Sequence, residues 1–109
     1  IMSLSRALTF SGVRSSVVSY WEVPDKETAA LMELFYKQLK KGKRNAVALA
    51  DAKREFIEKY PLKNHPYFWA GFVLNGANDA VYPVNYGFAF FMALGLLTIL
   101  FLWYYRKLI

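Results

Sequence analysis

Few residues in this chain of 109 amino acids could carry out nucleophilic or acid–base chemistry, and none of them form a recognisable catalytic pair. The chain has one histidine, His65, and no cysteine. A lone imidazole can act as a general base. With no thiol to activate and with Pro66 and Trp69 close by, we interpret His65 as a loop residue that fixes the entry to a strand. We therefore expect no catalytic residue in this chain.

The sequence also argues against a bound metal ion or cofactor. Without cysteine there is neither a disulfide framework nor a thiolate metal site. No cluster of Asp, Glu and His has the spacing of a metal site. Gly12 and Gly42 are isolated glycines at predicted helix ends, not parts of a phosphate-binding loop. We predict no metal and no cofactor.

Three residues could line a substrate groove. Trp21, Glu22 and Asp25 follow the predicted first strand, and open α/β sheets place ligand clefts beyond the carboxyl ends of their strands. Trp21 would form an apolar wall, and Glu22 or Asp25 would recognise a basic side chain. The alternative is structural, with Trp21 in the core and Asp25 capping the next helix.

Hydrophobic periodicity predicts the elements that must position these side chains. The order is helix, strand, helix, helix, strand, with predicted ranges 1–10, 14–21, 25–41, 45–60 and 68–74. Strands joined by a helical crossover pair in parallel, so we predict a parallel sheet. Two strands do not form a stable sheet alone. The sequence also opens inside a predicted helix. We therefore expect a C-terminal fragment of a larger α/β domain, completed by an upstream segment or a partner.

A membrane anchor is predicted at residues 86–105. These twenty residues carry no charge, and Arg106 and Lys107 follow at once. Twenty helical residues span about 30 Å, the thickness of the hydrocarbon core. Aromatic residues at both ends suit the headgroup zone. The chain then divides into a domain at 1–78, a linker at 79–85, a transmembrane helix and a short basic tail at 106–109.

The charges beside this helix predict its orientation. Positive residues near a spanning helix tend to stay in the cytoplasm. Arg106 and Lys107 lie directly after the helix, whereas Lys63 is the nearest basic residue before it in sequence. This favours a cytoplasmic C-terminus and a domain on the periplasmic side of a bacterial membrane. The alternative is a cytosolic domain with a tail anchor.

The net charge is +6, and +4 remains without Arg106 and Lys107. Acidic residues are interleaved with the basic ones, which argues against nucleic acid as a partner. We interpret the densest basic cluster as a solvated helix end, although it could also contact anionic lipid headgroups. Its members are Lys37, Lys40, Lys41, Lys43 and Arg44.

Several motifs in order resemble the C-terminal part of the CHAT domain, a caspase-like domain often found with tetratricopeptide repeats. The chain reads GVRSSVVSYWEV, then a Met-x-x-Phe-Tyr helix, an Ala-Leu-x-x-Ala helix and HPYFWAGFVLNG. The resemblance covers roughly residues 1–78. It gives a set of motif residues a structural role in the family pattern: Phe35, Tyr36, His65, Pro66 and Trp69.

The resemblance implies a caspase-like parallel-sheet fold with a catalytic Cys/His dyad. In the family pattern both catalytic residues precede the part matched here, and His65 corresponds to a later His-Pro loop. The resemblance therefore implies the membrane-anchored portion of a cysteine protease that acts on proteins. The alternative is a non-catalytic pseudoprotease that binds protein partners at the membrane.

Overall fold

The computed structural model describes residues 2–109, and it has the predicted order of helices and strands followed by a fourth helix. The helices are α1 (Met2–Phe10), α2 (Asp25–Lys40), α3 (Asn45–Lys59) and α4 (Gly87–Leu108). The strands are β1 (Ser15–Ser19) and β2 (Phe72–Gly76), and two short 3₁₀ turns, Pro61–Lys63 and Pro66–Phe68, precede β2.

The core lies between α2, α3 and one face of the sheet. Apolar residues recur at helical spacing along α2 and α3, so each helix has one apolar face, and the short turn between them folds these faces together. Phe56 and Leu31 have the largest fully buried side chains of the described core. The other buried apolar residues are Leu34, Phe35, Leu39, Ala48, Leu49, Ala52 and Phe72.

The prediction of a parallel sheet is wrong. β1 and β2 pair antiparallel, with Ser15 opposite Gly76 and Ser19 opposite Phe72. A single crossover helix returns the chain to the end of the sheet at which the first strand began, so the next strand runs parallel to it. Here two helices, α2 and α3, lie between the strands, and the second helix brings the chain back to the end of the sheet at which β1 finished. β2 therefore runs in the direction opposite to β1.

Two local predictions also need correction. The second strand begins at Phe72 rather than at 68, because Pro66 starts a 3₁₀ turn in which the Trp69 N–H donates to the Pro66 carbonyl (3.3 Å). Asp25 is the first residue of α2, and Pro24 occupies the capping position without a side-chain hydrogen bond. The Asp25 carboxylate therefore does not cap α2 and instead stabilises the helix by its position near the positive end of the helix dipole.

Ion pairs tie the polar sides of α2 and α3 together. Lys37 Nζ lies 2.6 Å from a Glu55 oxygen, and Lys43 Nζ lies 2.7 Å from an Asp51 oxygen. The hydrogen bond from Lys37 lowers the pKa of Glu55, and that from Lys43 lowers the pKa of Asp51. Two members of the basic cluster are therefore committed to the fold.

α4 is a 22-residue helix with a mean hydropathy of 2.0 over its most apolar window, and none of that window is buried against the rest of the chain. By length and composition it could cross a membrane. It extends three residues beyond the predicted range and includes Arg106 and Lys107.

Candidate functional site

The antiparallel pairing brings the loop that follows β1 against the loop that precedes β2. The indole of Trp21 donates a 2.7 Å hydrogen bond from Nε1 to the Tyr67 carbonyl. The two rings are nearly parallel, with centroids 6.4 Å apart and an interplanar angle of 13°. Trp21 and Tyr67 together form a surface that we call the aromatic wall.

A close approach to glycine sets the position of Trp21. A Cβ added to Gly71 would lie only 2.8 Å from the indole ring, so only glycine leaves room for this packing. The Tyr20 N–H also donates to the Gly71 carbonyl at 3.0 Å, which ties the two loops together. Trp21 remains 39% exposed, so one part of its ring packs against the fold while another part is open to a ligand.

Tyr67 connects the loop residues around the wall. Its hydroxyl donates to the Glu22 carbonyl at 2.7 Å, and its backbone N–H donates to His65 Nδ1 at 3.1 Å. Tyr67 was not among the residues predicted from the sequence. The available signal was its place in the aromatic run that directly follows the only His-Pro dipeptide.

Of the predicted groove residues, Trp21 is part of this wall and the Glu22 backbone contacts it. The side chains of Glu22 and Asp25 are exposed, one beside the wall and the other on the first turn of α2. An exposed aromatic surface can bind a cationic side chain through cation–π attraction. The hydroxyl of Ser19 also lies at this loop, where it donates to the Trp21 carbonyl at 2.6 Å.

The motif residues occupy different environments. His65 accepts the Tyr67 N–H at the start of a 3₁₀ turn, and Pro66 is the first residue of that turn. Trp69 is half-buried and donates from Nε1 to the Asn64 carbonyl at 3.0 Å. Phe35 is buried in the core, whereas its neighbour Tyr36 is 58% exposed.

One cationic side chain reaches the sheet from α3. Lys53 Nζ donates to the Phe72 carbonyl at 2.6 Å, and partial burial lowers the pKa of its ammonium group. Phe72 is the first residue of β2, so this contact holds α3 against the start of the strand. Its role in the described structure is to join these two elements.

The Tyr67→Phe substitution tests whether the hydroxyl braces the wall. We expect a loss of about 0.5–1.5 kcal/mol in unfolding free energy, the usual contribution of one hydrogen bond. Amide exchange at Trp21 and Glu22 should accelerate. Tyr20→Phe is the matched control, because Tyr20 is also exposed and its hydroxyl has no hydrogen bond within residues 2–109. Equal effects of the two substitutions would contradict the bracing role.

Comparisons with known proteins give one family match and two similar curated proteins. Residues 1–77 match the family profile described as the CHAT domain. Over 78 residues the chain is 31% identical to Tetratricopeptide repeat protein 28 of Homo sapiens and 28% identical to the Mus musculus protein of the same name. Each alignment covers 72% of this chain and 3% of the relative, so the chain spans only a small part of their length.

No solved structure matches the chain at a significant level. The family match extends from α1 through β2 and includes both loops of the aromatic wall. Because this match takes in well over half of its residues, the chain belongs to the CHAT domain family.

Proposed function

We propose that this chain is the membrane-anchored C-terminal portion of a CHAT-type, caspase-like cysteine protease. The observation that carries the proposal is the family match over residues 1–77 in a chain without cysteine. The catalytic thiolate and its histidine partner would come from residues outside this chain. The contribution of this portion would be to complete the fold, shape the substrate groove and hold the enzyme at a membrane.

An incompletely covered sheet supports the participation of a further segment. Between α1 and the outer face of the sheet lies an open groove of about 430 Å³. Phe10 lines it and is 86% exposed, and Val18 and Val73 contribute apolar surface from the two strands. Apolar sheet faces are normally covered by a second layer. We propose that an upstream segment supplies this layer and further strands.

The aromatic wall is the proposed substrate contact. Trp21 and Tyr67 offer stacked ring faces, and Glu22 and Asp25 add negative charge nearby. This chemistry suits a lysine or arginine side chain of a protein substrate.

A non-catalytic adaptor is the second candidate. The relatives are named for tetratricopeptide repeats. Such repeats stack into solenoids with extended binding surfaces. A pseudoprotease would use the aromatic wall to hold a protein partner without cleaving it.

Peptidase assays separate the two candidates. This chain alone should cleave no member of a peptide panel and should not react with a thiol-directed probe. The full-length protein should bind the probe and cleave peptides with a basic residue, and Trp21→Ala should lower kcat/KM for them about tenfold or more, a loss of the order of one cation–π contact. Leu62→Ala, a substitution of a 95% exposed residue away from the wall, is the control. A full-length protein without probe labelling would favour the adaptor.

We also propose that α4 spans the bilayer with the domain on the cytoplasmic side. The charges after α4 favour the opposite arrangement, but the fold introduces a competing group. Gly42, in the turn between α2 and α3, contacts the side chain of Val84 just before α4, and the lysines and arginine of this turn are therefore near the membrane.

Labelling of this 109-residue chain with an impermeant maleimide tests the orientation, because these residues include no cysteine. A cysteine in place of Leu62 should be labelled only after intact cells are permeabilised. A cysteine in place of Ile109 should be labelled already in intact cells. Labelling of the Leu62 position in intact cells would establish the exported arrangement instead.

A further inference from the structure

The linker that leads to α4 is attached to the turn between α2 and α3. The Asn45 N–H donates to the Asp79 carbonyl at 3.0 Å, and the Ala46 N–H donates to Asn78 Oδ1 at 2.8 Å. Arg44 and Ala80 form an isolated antiparallel β-bridge. These contacts determine which face of the domain lies next to the membrane helix.

Buried Asn45 strengthens this attachment. It is 4% exposed, and its Nδ2 donates to Ser15 Oγ at 3.1 Å and to the Ala77 carbonyl at 3.3 Å. Gly42 has a φ of +84° and meets the linker so closely that a Cβ there would collide with Val84. The linker is therefore packed against the turn at a fixed position and is not a flexible tether between the domain and α4.

The same turn carries exposed positive charge. Lys40, Lys41 and Arg44 are exposed and make no ion pair within residues 2–109. The nearby acids have other partners: Asp51 pairs with Lys43 and Arg54, Glu55 with Lys37, and Asp79 with Arg14. We call Lys40, Lys41 and Arg44 the basic turn.

Chain length keeps the basic turn close to the bilayer. Val84 contacts Gly42, and α4 begins at Gly87, three residues later. Three extended residues reach at most about 11 Å. The headgroup layer is about 5–8 Å thick on each side, and the Debye length at physiological salt is about 8 Å. When α4 spans a membrane, the basic turn thus lies within electrostatic range of its headgroups.

We propose that the basic turn docks on the anionic lipid headgroups of the membrane that α4 crosses, which fixes the domain against the surface. The inference rests on the proposed spanning of α4. Three exposed positive charges without an ion pair supply the attraction, and the exposed Tyr82 and Tyr86 in the segment that leads to α4 are suitable interfacial anchors.

The experiment uses the full chain in nanodiscs. An environment-sensitive fluorophore is attached to a cysteine in place of Ala46, an exposed residue in the first turn of α3 next to the basic turn, and quenching by nitroxide-labelled lipid headgroups is measured. The same fluorophore at Leu62 is the positional control, because α3 separates the two sites by about 20 Å. Discs of phosphatidylcholine alone are compared with discs that contain phosphatidylserine.

We expect strong quenching at position 46 in anionic discs only. The triple variant Lys40→Gln, Lys41→Gln, Arg44→Gln should reduce the ratio of docked to undocked domain about a hundredfold in total, because each lost charge reduces it about fivefold. The variant Arg6→Gln, Lys26→Gln, Lys59→Gln removes the same charge from exposed residues outside the turn and should have little effect. High salt should release the unmodified protein, which tests the proposal even where the triple variant does not fold.

Three outcomes would overturn the proposal. Equal quenching in neutral and anionic discs would show that the linker alone positions the turn. Unaltered docking in the folded triple variant would exclude the basic turn. A change in fluorescence on addition of a duplex oligonucleotide, without quenching by the labelled lipid, would show that the turn binds nucleic acid instead. Flotation at alkaline pH reports separately on whether α4 is inserted, so failure of docking is distinguishable from failure of the anchor.

Discussion

The Phe56→Ala substitution should remove about 3–5 kcal/mol from the unfolding free energy, the range for large aromatic side chains in a core. Phe56 is fully buried, and its ring packs against Tyr60 with centroids 5.1 Å apart. The substitution leaves a cavity between α2 and α3 that rigid helices cannot close. Because domains are stable by only about 5–15 kcal/mol, α2 and α3 should lose most of their amide-exchange protection.

Phe10→Ala provides a control of the same chemical type. Phe10 is 86% exposed at the end of α1, so its truncation removes little packing within this chain. The measurement is urea denaturation of the full chain in nanodiscs, followed by circular dichroism and amide exchange. If both substitutions reduced stability equally, the core would not be centred on α2 and α3.

The double substitution Leu97→Arg, Leu100→Arg should prevent insertion of α4. Residues 88–102 contain ten Leu, Ile and Phe residues. Each contributes about 0.3–0.6 kcal/mol to insertion near the helix centre, roughly 3–6 kcal/mol together. Two central arginines oppose this by about 5–7 kcal/mol. The balance should reverse, and the protein should move from the carbonate-resistant membrane fraction to the extractable one.

Leu97→Ala with Leu100→Ala is the matched control, since alanine shortens the side chains without adding charge. This variant should stay in the membrane fraction. Retention of the double arginine variant after carbonate extraction would argue that α4 associates with another protein rather than with lipid.

Membership of the CHAT family could be predicted from the sequence because its motifs have a defined order. The Gly-x-Arg-Ser strand motif, the Phe-Tyr pair at 35–36 and the His-Pro loop at 65–66 all lie within residues 1–77, which match the family. The apolar run before Arg106 similarly defines a helix long enough to span a membrane, because length and hydropathy are properties of the sequence alone.

The aromatic wall could be predicted only in part. Trp21 follows a strand, and that position alone made it a groove candidate. Tyr67 was missed because it lies 46 residues away from Trp21, and only the antiparallel pairing of β1 with β2 brings the two rings together. Periodicity predicted both helices between the strands, but strand direction depends on how α2 and α3 pack against each other and the sheet, which local periodicity does not encode.

The surroundings of α4 show the same division. The sequence by itself determined the apolar helix, the basic residues at 106–107 and the α2 and α3 helices, since these follow from hydropathy and period. In sequence, Lys63 is the nearest basic residue before α4. Only the tertiary structure decided that the basic turn lies beside the linker, because hydrogen bonds from Asn45 and Ala46 hold residues 78–79 against it. Contacts between residues more than thirty positions apart depend on packing, and packing is set by the whole chain.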